Sequence, residues 1–233
     1  PKFEFTQDNV VYAIKPTATV SEIAEIFGHK TTEQLKIEGR ISTAFDGKLR
    51  TAFKTLTFKS LSAKFNEDYS GRIIGAVLDG RKDVDSIEIC WKTLNKEVDS
   101  ARNILKKLPP VKTCKILVPN YSRVITDEIF LHLVNTVSGC LVISCPQEIS
   151  AHGLATAFQI ACSSEKYINC YVHLEVFEEF ELNFSWQYHR DKHYHYNCLV
   201  HLESSTVLIY HYFPDTRDML VNIYRYNLLR YFS

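Results

Sequence analysis

Along much of the chain, apolar positions recur in one short pattern: an apolar residue, two positions of any kind, a second apolar residue, one position of any kind, and a third. The clearest copies are Val84, Ile87 and Ile89; Val111, Cys114 and Ile116; and Val137, Cys140 and Val142, whose starts are spaced by 27 (84 to 111) and 26 (111 to 137). Upstream, Phe53, Leu56, Phe58 and Leu61 take the same role, and downstream Tyr167, Cys170 and Val172, at spacings of 31 and 30. A further copy falls at Thr32, Leu35 and Ile37. Alternation at period two is what a short strand with one buried face requires, so each copy predicts a strand.

Between the strands the apolar period changes to three and four. Val98, Ala101, Ile104, Leu105 and Leu108 form one stripe, Ile129, Phe130, Leu133 and Val134 a second, and Leu154, Ala155, Phe158 and Ala161 a third; each predicts an amphipathic helix. Thr126, followed by Asp127 and Glu128, places a capping hydroxyl and two acids at a helix start, and Pro109 with Pro110 stops the helix that ends at Leu108. Near the beginning, Thr19 and Glu22 make a capping-box pair ahead of Ile23, Ile26 and Phe27, with Gly28 as a stop. Strand, helix and parallel strand in alternation set the fold class as α/β. A doubly wound nucleotide-binding sheet uses the same elements in units of about 40 residues and places a glycine-rich turn after its first strand; the eight glycines here are scattered.

At these positions the sequence resembles leucine-rich repeats, whose unit is L-x-x-L-x-L-x-x-N/C-x-L. The best match is Val137-Ser-Gly-Cys140-Leu-Val142-Ile-Ser-Cys145, with a cysteine where the family has Asn or Cys. In the Val111 copy Pro119 takes that place and Asn120 follows one residue late, while the Val84 copy has Lys92 and the Phe53 copy has Leu61. The resemblance covers about residues 50–175 and implies an irregular leucine-rich-repeat-like β/α solenoid with parallel strands. After residue 176 the rhythm breaks. Phe177, Phe180, Leu182 and Phe184, then Cys198, Val200 and Leu202, then Val207, Ile209, Tyr210 and Tyr212 predict three strands joined by polar turns. The expected organisation is an N-terminal helical and strand cap over 1–50, repeats over 51–175, and a C-terminal antiparallel β cap over 176–233 packed on the repeats. As a whole the chain is also similar to the degenerate repeat regions attached to F-box proteins in nematodes, which implies substrate capture for a ubiquitin ligase. A short helical F-box segment is not apparent in these residues.

Composition narrows the function classes. Lys and Arg number 27 and Asp and Glu 27, without the basic stripe that phosphate neutralisation demands, which argues against nucleic acid as a partner. Seven cysteines, an odd number without a CxxC pair, suit reduced core thiols. The opening residues lack an apolar secretion core, and no apolar run reaches the roughly 18–20 residues of a membrane helix, so a cytoplasmic or nuclear location without membrane contact is expected. The Asn-x-Ser triplets at Asn120 and Asn183 are then idle.

Chemistry-bearing motifs are few. His193 and His195 would point the same way on a strand, and His189 lies close, so a metal site is geometrically conceivable, yet no cysteine or carboxylate has zinc-finger spacing there. His189-Arg190-Asp191 resembles a kinase catalytic triplet, but Asn197 follows the aspartate by six residues where that motif needs five. Cys145 with His152, or Cys170 with His173, could be nominated as nucleophile and base, although these cysteines occupy interior slots of the pattern. The expected function is therefore a non-catalytic protein-recognition module without cofactor. Its partner would be met by the in-between strand positions Glu88, Cys90, Lys115, Leu117, Leu141 and Ile143 and by the aromatic anchors Trp186 and Tyr188. The rivals are a small α/β enzyme or metal-binding protein using His189, His193 and His195, and a scaffold subunit stable only in a complex.

Overall fold

The computed structural model describes residues 3–7, 10–14, 19, 21–22, 25, 31–38, 56–65, 71–78, 80–82, 84–92, 94, 98–119, 123–173, 187–190, 197–201 and 204–225. The chain divides into two compact units, Pro1–Val124 and Ile125–Ser233. The division falls inside the stretch 51–175 that the sequence pattern assigns to one array.

The first unit contains β1 (Phe3–Gln7), β2 (Val10–Ile14), β3 (Thr31–Glu38), β4 (Thr57–Phe65), α1 (Gly71–Leu78), β5 (Ser86–Trp91), α2 (Val98–Leu105) and β6 (Val111–Leu117). Its strands lie in the order β2-β1-β3-β4-β5-β6. A β1–β2 hairpin pairs antiparallel with β3, and β3 to β6 are parallel. Pairing sets Leu35 beside Leu61, Leu61 beside Ile87 and Ile87 beside Cys114, with Ile37, Ala63, Ile89 and Ile116 in the next row. All eight are buried. The step between equivalent residues is 26, 26 and 27 (35 to 61, 61 to 87, 87 to 114), more regular than the 31 and 27 that the bare pattern gives from Phe53 and Val84. Phe53 lies outside the described residues. The copy that pairs in register with Val84's begins at Phe58, itself fully buried.

From Gln34, Ser60, Ser86 and Thr113 onward, the side of these strands opposite the aliphatic rows is mainly polar, and its described side chains are at least partly solvent-exposed except for Ser62. A doubly wound parallel sheet buries both faces and its strands run apolar throughout; here only one face is apolar. On the buried side Ile74 and Val77 of α1 and Ala101, Ile104 and Leu105 of α2 complete the core, and α1 packs beside α2. Each such aliphatic side chain removed from water contributes about 1.5–3 kcal/mol before chain entropy is counted. Thr19 and Glu22 form the expected capping box: Glu22 Oε2 accepts from Thr19 N at 2.6 Å, and Thr19 Oγ1 accepts from Glu22 N at 3.2 Å.

The second unit contains α3 (Asp127–Thr136), β7 (Val137–Gln147), α4 (Ala151–Cys162), β8 (Tyr167–His173), β9 (Gln187–Arg190), β10 (Asn197–His201), β11 (Thr206–Phe213) and β12 (Asp218–Arg225), with strand order β7-β8-β12-β11-β10-β9. β7 and β8 are parallel, and every later pairing is antiparallel. The C-terminal antiparallel strands expected from the sequence are present, but the strand joined to β8 is β12, which the pattern analysis did not anticipate. Its signal is the Pro214-Asp215 turn followed by alternating Met219, Val221 and Ile223, all fully buried. Residues 177–184, given a strand from sequence, lie outside the described residues. α4 packs against β11 and β12. Among the described residues no helix is long and apolar enough to cross a membrane.

The start of α4 is held by a carboxylate from the first turn of α3. Thr126 has an extended N-cap backbone, yet its hydroxyl makes no capping bond, contrary to expectation. Asp127 instead reaches α4: its Oδ1 accepts from Ser150 N at 2.8 Å and its Oδ2 from the Ser150 hydroxyl, while Ser150 Oγ caps α4 by accepting from Gly153 N at 3.0 Å. A Cβ on Gly153 would lie 2.5 Å from Asp127 Oδ1 and 2.8 Å from its Cγ, so the clamp demands glycine. Ordinarily Gly to Ala within a helix gains roughly 0.5–1 kcal/mol. Here Gly153→Ala should cost about 1–3 kcal/mol through overpacking, measured by urea unfolding. The cost should vanish or reverse in an Asp127→Ala background, and an equal cost in both backgrounds would refute the clamp.

Candidate functional site

Period-two alternation that buries Leu35, Leu61, Ile87 and Cys114 turns the residues after them the other way. The resulting rows are Lys36, Ser62, Glu88 and Lys115, then Glu38, Lys64, Cys90 and Leu117, with Gln34, Ser60, Ser86 and Thr113 on the preceding side. Four of the partner positions expected from sequence, Glu88, Cys90, Lys115 and Leu117, thus stand together on β5 and β6. Lys115 is exposed and the other three half-exposed.

Their electrostatics interlock. Glu88 Oε1 pairs with Lys115 Nζ at 3.2 Å, and its Oε2 accepts from Ser62 Oγ at 3.1 Å. Burial pushes the Glu88 carboxyl up, but the hydrogen bonds from Lys115 and Ser62, together with the charges of Lys115 and Lys64, outweigh it and hold the group below the usual glutamate value. Two residues before each position of the first buried row, Glu33, Lys59, Asp85 and Lys112 alternate in sign. Glu33 meets Lys59 at 2.9 Å and Asp85 meets Lys112 at 2.8 Å. The Glu33 hydrogen bond and charge raise the Lys59 ammonium above its ordinary value, with Asp85 adding to it. These exposed pairs contribute little stability singly, but like charges would oppose any strand shifted by one repeat.

Leu141 and Ile143, expected to face outward, are core residues, 1% and 0% exposed. They pair in register with Ile168 and Cys170, and Cys140 and Val142, expected inside, are half-exposed. Counting from Val137 misleads because Val137 is buried at the junction where α3 passes directly into β7. A strand shifted by one residue exchanges its faces, and burying leucine with isoleucine removes more apolar surface than burying cysteine with valine. The usable signal was the constant step, which is 27 from Cys114 to Leu141 and again 27 from Leu141 to Ile168. Near its end β7 carries two extra residues against β8, because Ile143 pairs with Cys170 and Gln147 with Val172. Pro146, which lacks an N–H, falls in this irregularity. Gln147 is buried, and its Oε1 accepts from Ile125 N at 3.2 Å.

The remaining candidates are distributed as follows. Trp186, His193 and His195 lie outside the described residues. Tyr188 and His189 belong to β9, where they pair with Leu199 and Cys198, and their side chains lie outside the described set, as does that of Cys145. Cys170 and His173 are not brought together: three residues apart on one strand, they point to opposite faces. Cys170 is fully buried, which pushes its thiol up to about 12, whereas His173 Nδ1 lies 3.0 Å from Asp218 Oδ1. Sequence reasoning missed the other surface of β8 and β12, where Asn169, Tyr171 and His173 oppose Asn222, Leu220 and Asp218, and Tyr167 precedes them on β8. Tyr171 stacks on Phe213 at 6.1 Å.

Two measurements check this assignment. The depressed Glu88 pKa contributes stability that is present above the unfolded-state value and lost as pH falls through the folded one. Glu88→Gln should therefore cost up to about 1 kcal/mol at neutral pH and nothing near pH 2; an equal cost at both pH values would rule out a role for the charge. In alkylation of the folded protein at mildly alkaline pH, Cys90 should label before Cys140, whose thiol burial raises, and Cys170 should label only on unfolding. Labelling of Cys170 at the rate of Cys90 would contradict its placement. No protein-family model matches the chain, and no curated protein matches it in sequence.

Proposed function

We propose that this chain is a non-catalytic protein-recognition module of irregular leucine-rich-repeat-like build, and that the polar side of β3 to β6 is where its partner docks. The observation that carries the reading is the near-constant step, 26, 26 and then 27, between register-matched buried positions. Each repeat thereby delivers one residue to every row of the uncovered face. A period in this range is that of leucine-rich repeats. Stacked units of this kind use their strand side as an extended binding surface whose specificity resides in the outward positions.

The character of those positions favours a protein ligand. Lys36, Lys64 and Lys115 alternate with Glu88, Ser62, Cys90 and Leu117, a mixture of both charges with polar and apolar groups and not the one-sided basic surface that a polyanion selects. The similarity to F-box-associated repeat regions extends the proposal to substrate capture within a ubiquitin ligase. A ligase adaptor among the partners would support that extension.

The test is affinity purification of the chain from its native cells, beside Lys115→Glu and Leu117→Asp. Both residues lie off the buried rows, so circular dichroism should be unchanged, and Lys115→Glu, which sets a like charge opposite Glu88, should lower the thermal midpoint by only a few degrees. A partner co-purifying with the parent should fall at least about tenfold with either variant, as expected for residues central to an interface. Partner recovery unaffected by both variants would remove this face from the function. Stoichiometric metal that is lost with His193→Ala would point instead to a metal-binding or enzymatic role.

A further inference from the structure

A second surface, on different residues, carries its own chemistry. Asn169 of β8 and Asn222 of β12 are register partners. Asn222 Oδ1 accepts from Asn169 Nδ2 at 2.6 Å and from the Tyr167 hydroxyl at 3.1 Å. With these two bonds made, each amide has one polar group left over. Asn222 turns its carbonyl to its neighbours and presents its N–H groups away from them, while Asn169 keeps its own carbonyl oxygen as an acceptor. Among the described residues neither spare group has a partner. The buried polar side-chain atom that lacks one is Arg102 Nε, so the spare groups of both asparagines remain open to solvent. One donor and one acceptor thus stand side by side.

Their frame is apolar and aromatic. Val142 opposes Asn169 on one side and Ile209 opposes Asn222 on the other. Tyr171 opposes Leu220 in the next row. Tyr167, at 39%, is the exposed large hydrophobic side chain among the described residues, and its ring lies 6.5 Å from that of Tyr224. A polar pair ringed by tyrosines and aliphatics is the arrangement in which a few hydrogen bonds dominate binding, because the ring excludes water from them. Charge selects the ligand class. Among the described residues the frame contains no lysine or arginine; the nearby Asp218 carboxylate is held by His173 at 3.0 Å, and Arg225 is held by Glu165 at 3.0 Å. A nucleic acid would find no cation there for its phosphates, and a charged peptide would bring an unpaired charge to a neutral surface.

We propose that Asn169 and Asn222 form a recognition site for a carboxamide side chain, asparagine or glutamine, on an extended uncharged peptide, with Tyr167 and Tyr171 covering its flanks. Asn222 Nδ2 would donate to the ligand amide's oxygen, and Asn169 Oδ1 would accept from its nitrogen. This site shares no residue with the β3–β6 face, so either can fail without the other.

The experiment selects a phage-displayed library of random heptapeptides on the immobilised full chain, with Asn222→Asp in parallel and Gln159→Ala, on the exposed side of α4, as a control. Asn222→Asp keeps an acceptor for Tyr167 and Asn169 and replaces the outward donor with a negatively charged carboxylate oxygen. The parent and the control should enrich uncharged peptides carrying Asn or Gln at one position, and Asn222→Asp should not. The best synthetic peptide should bind the parent roughly tenfold more tightly than its own Asn-to-Asp or Gln-to-Glu version. If Asn222→Asp does not fold, that peptide comparison decides alone. Failure to enrich any peptide, equal binding of amide and acid peptides, or preferential binding of single-stranded oligoadenylate would each overturn the proposal.

Discussion

A sheet of parallel strands that is apolar on one side only must keep its strands in step, since a slip of one residue would carry every buried side chain into water. In the first unit that condition is met by two rows, Leu35-Leu61-Ile87-Cys114 and Ile37-Ala63-Ile89-Ile116, with nothing but aliphatic side chains and one thiol in them. Everything else in the unit follows from those rows. The connecting segments return the chain to the same height after a near-constant step, the helices α1 and α2 bury their own apolar stripes, and the opposite side of the strands is left to polar residues.

The same spacing organises charge. Glu33, Lys59, Asp85 and Lys112 come into line because each precedes a buried row residue by two positions, and Glu88 meets both Lys115 and Ser62 because each follows one by a single position. None of these contacts stabilises much alone. Together they set alternating polarity along both phases of the strands, beside the buried rows and on the side opposite to them.

The second unit solves the same problem differently. Only β7 and β8 are parallel, and β12 then extends the sheet with antiparallel strands. Its open side is neutral and aromatic where that of the first unit is charged. Asp127 joins the starts of α3 and α4 through Ser150, in space that only a glycine at 153 leaves open. The Asn169–Asn222 pair exists because antiparallel pairing sets two residues far apart in the chain directly opposite one another.

Periodicity in the sequence was sufficient for the strands from β3 to β6, for α2, α3 and α4 with their buried stripes, and for the capping box at Thr19, because these depend on neighbours within a turn or on alternation within a strand. It also placed Glu88, Cys90, Lys115 and Leu117 on one surface. Tertiary structure alone decided the phase of β7, where Leu141 and Ile143 turn inward. The junction with α3 adds a buried Val137 that imitates the start of a repeat, and only pairing with Ile168 and Cys170 resolves the choice. It likewise decided that Asp127 would bind Ser150, the residue that caps the neighbouring helix, and that β12 would lie beside β8. Such contacts join residues distant in sequence, and local spacing carries no information about which remote partner offers the larger burial or the better hydrogen bond.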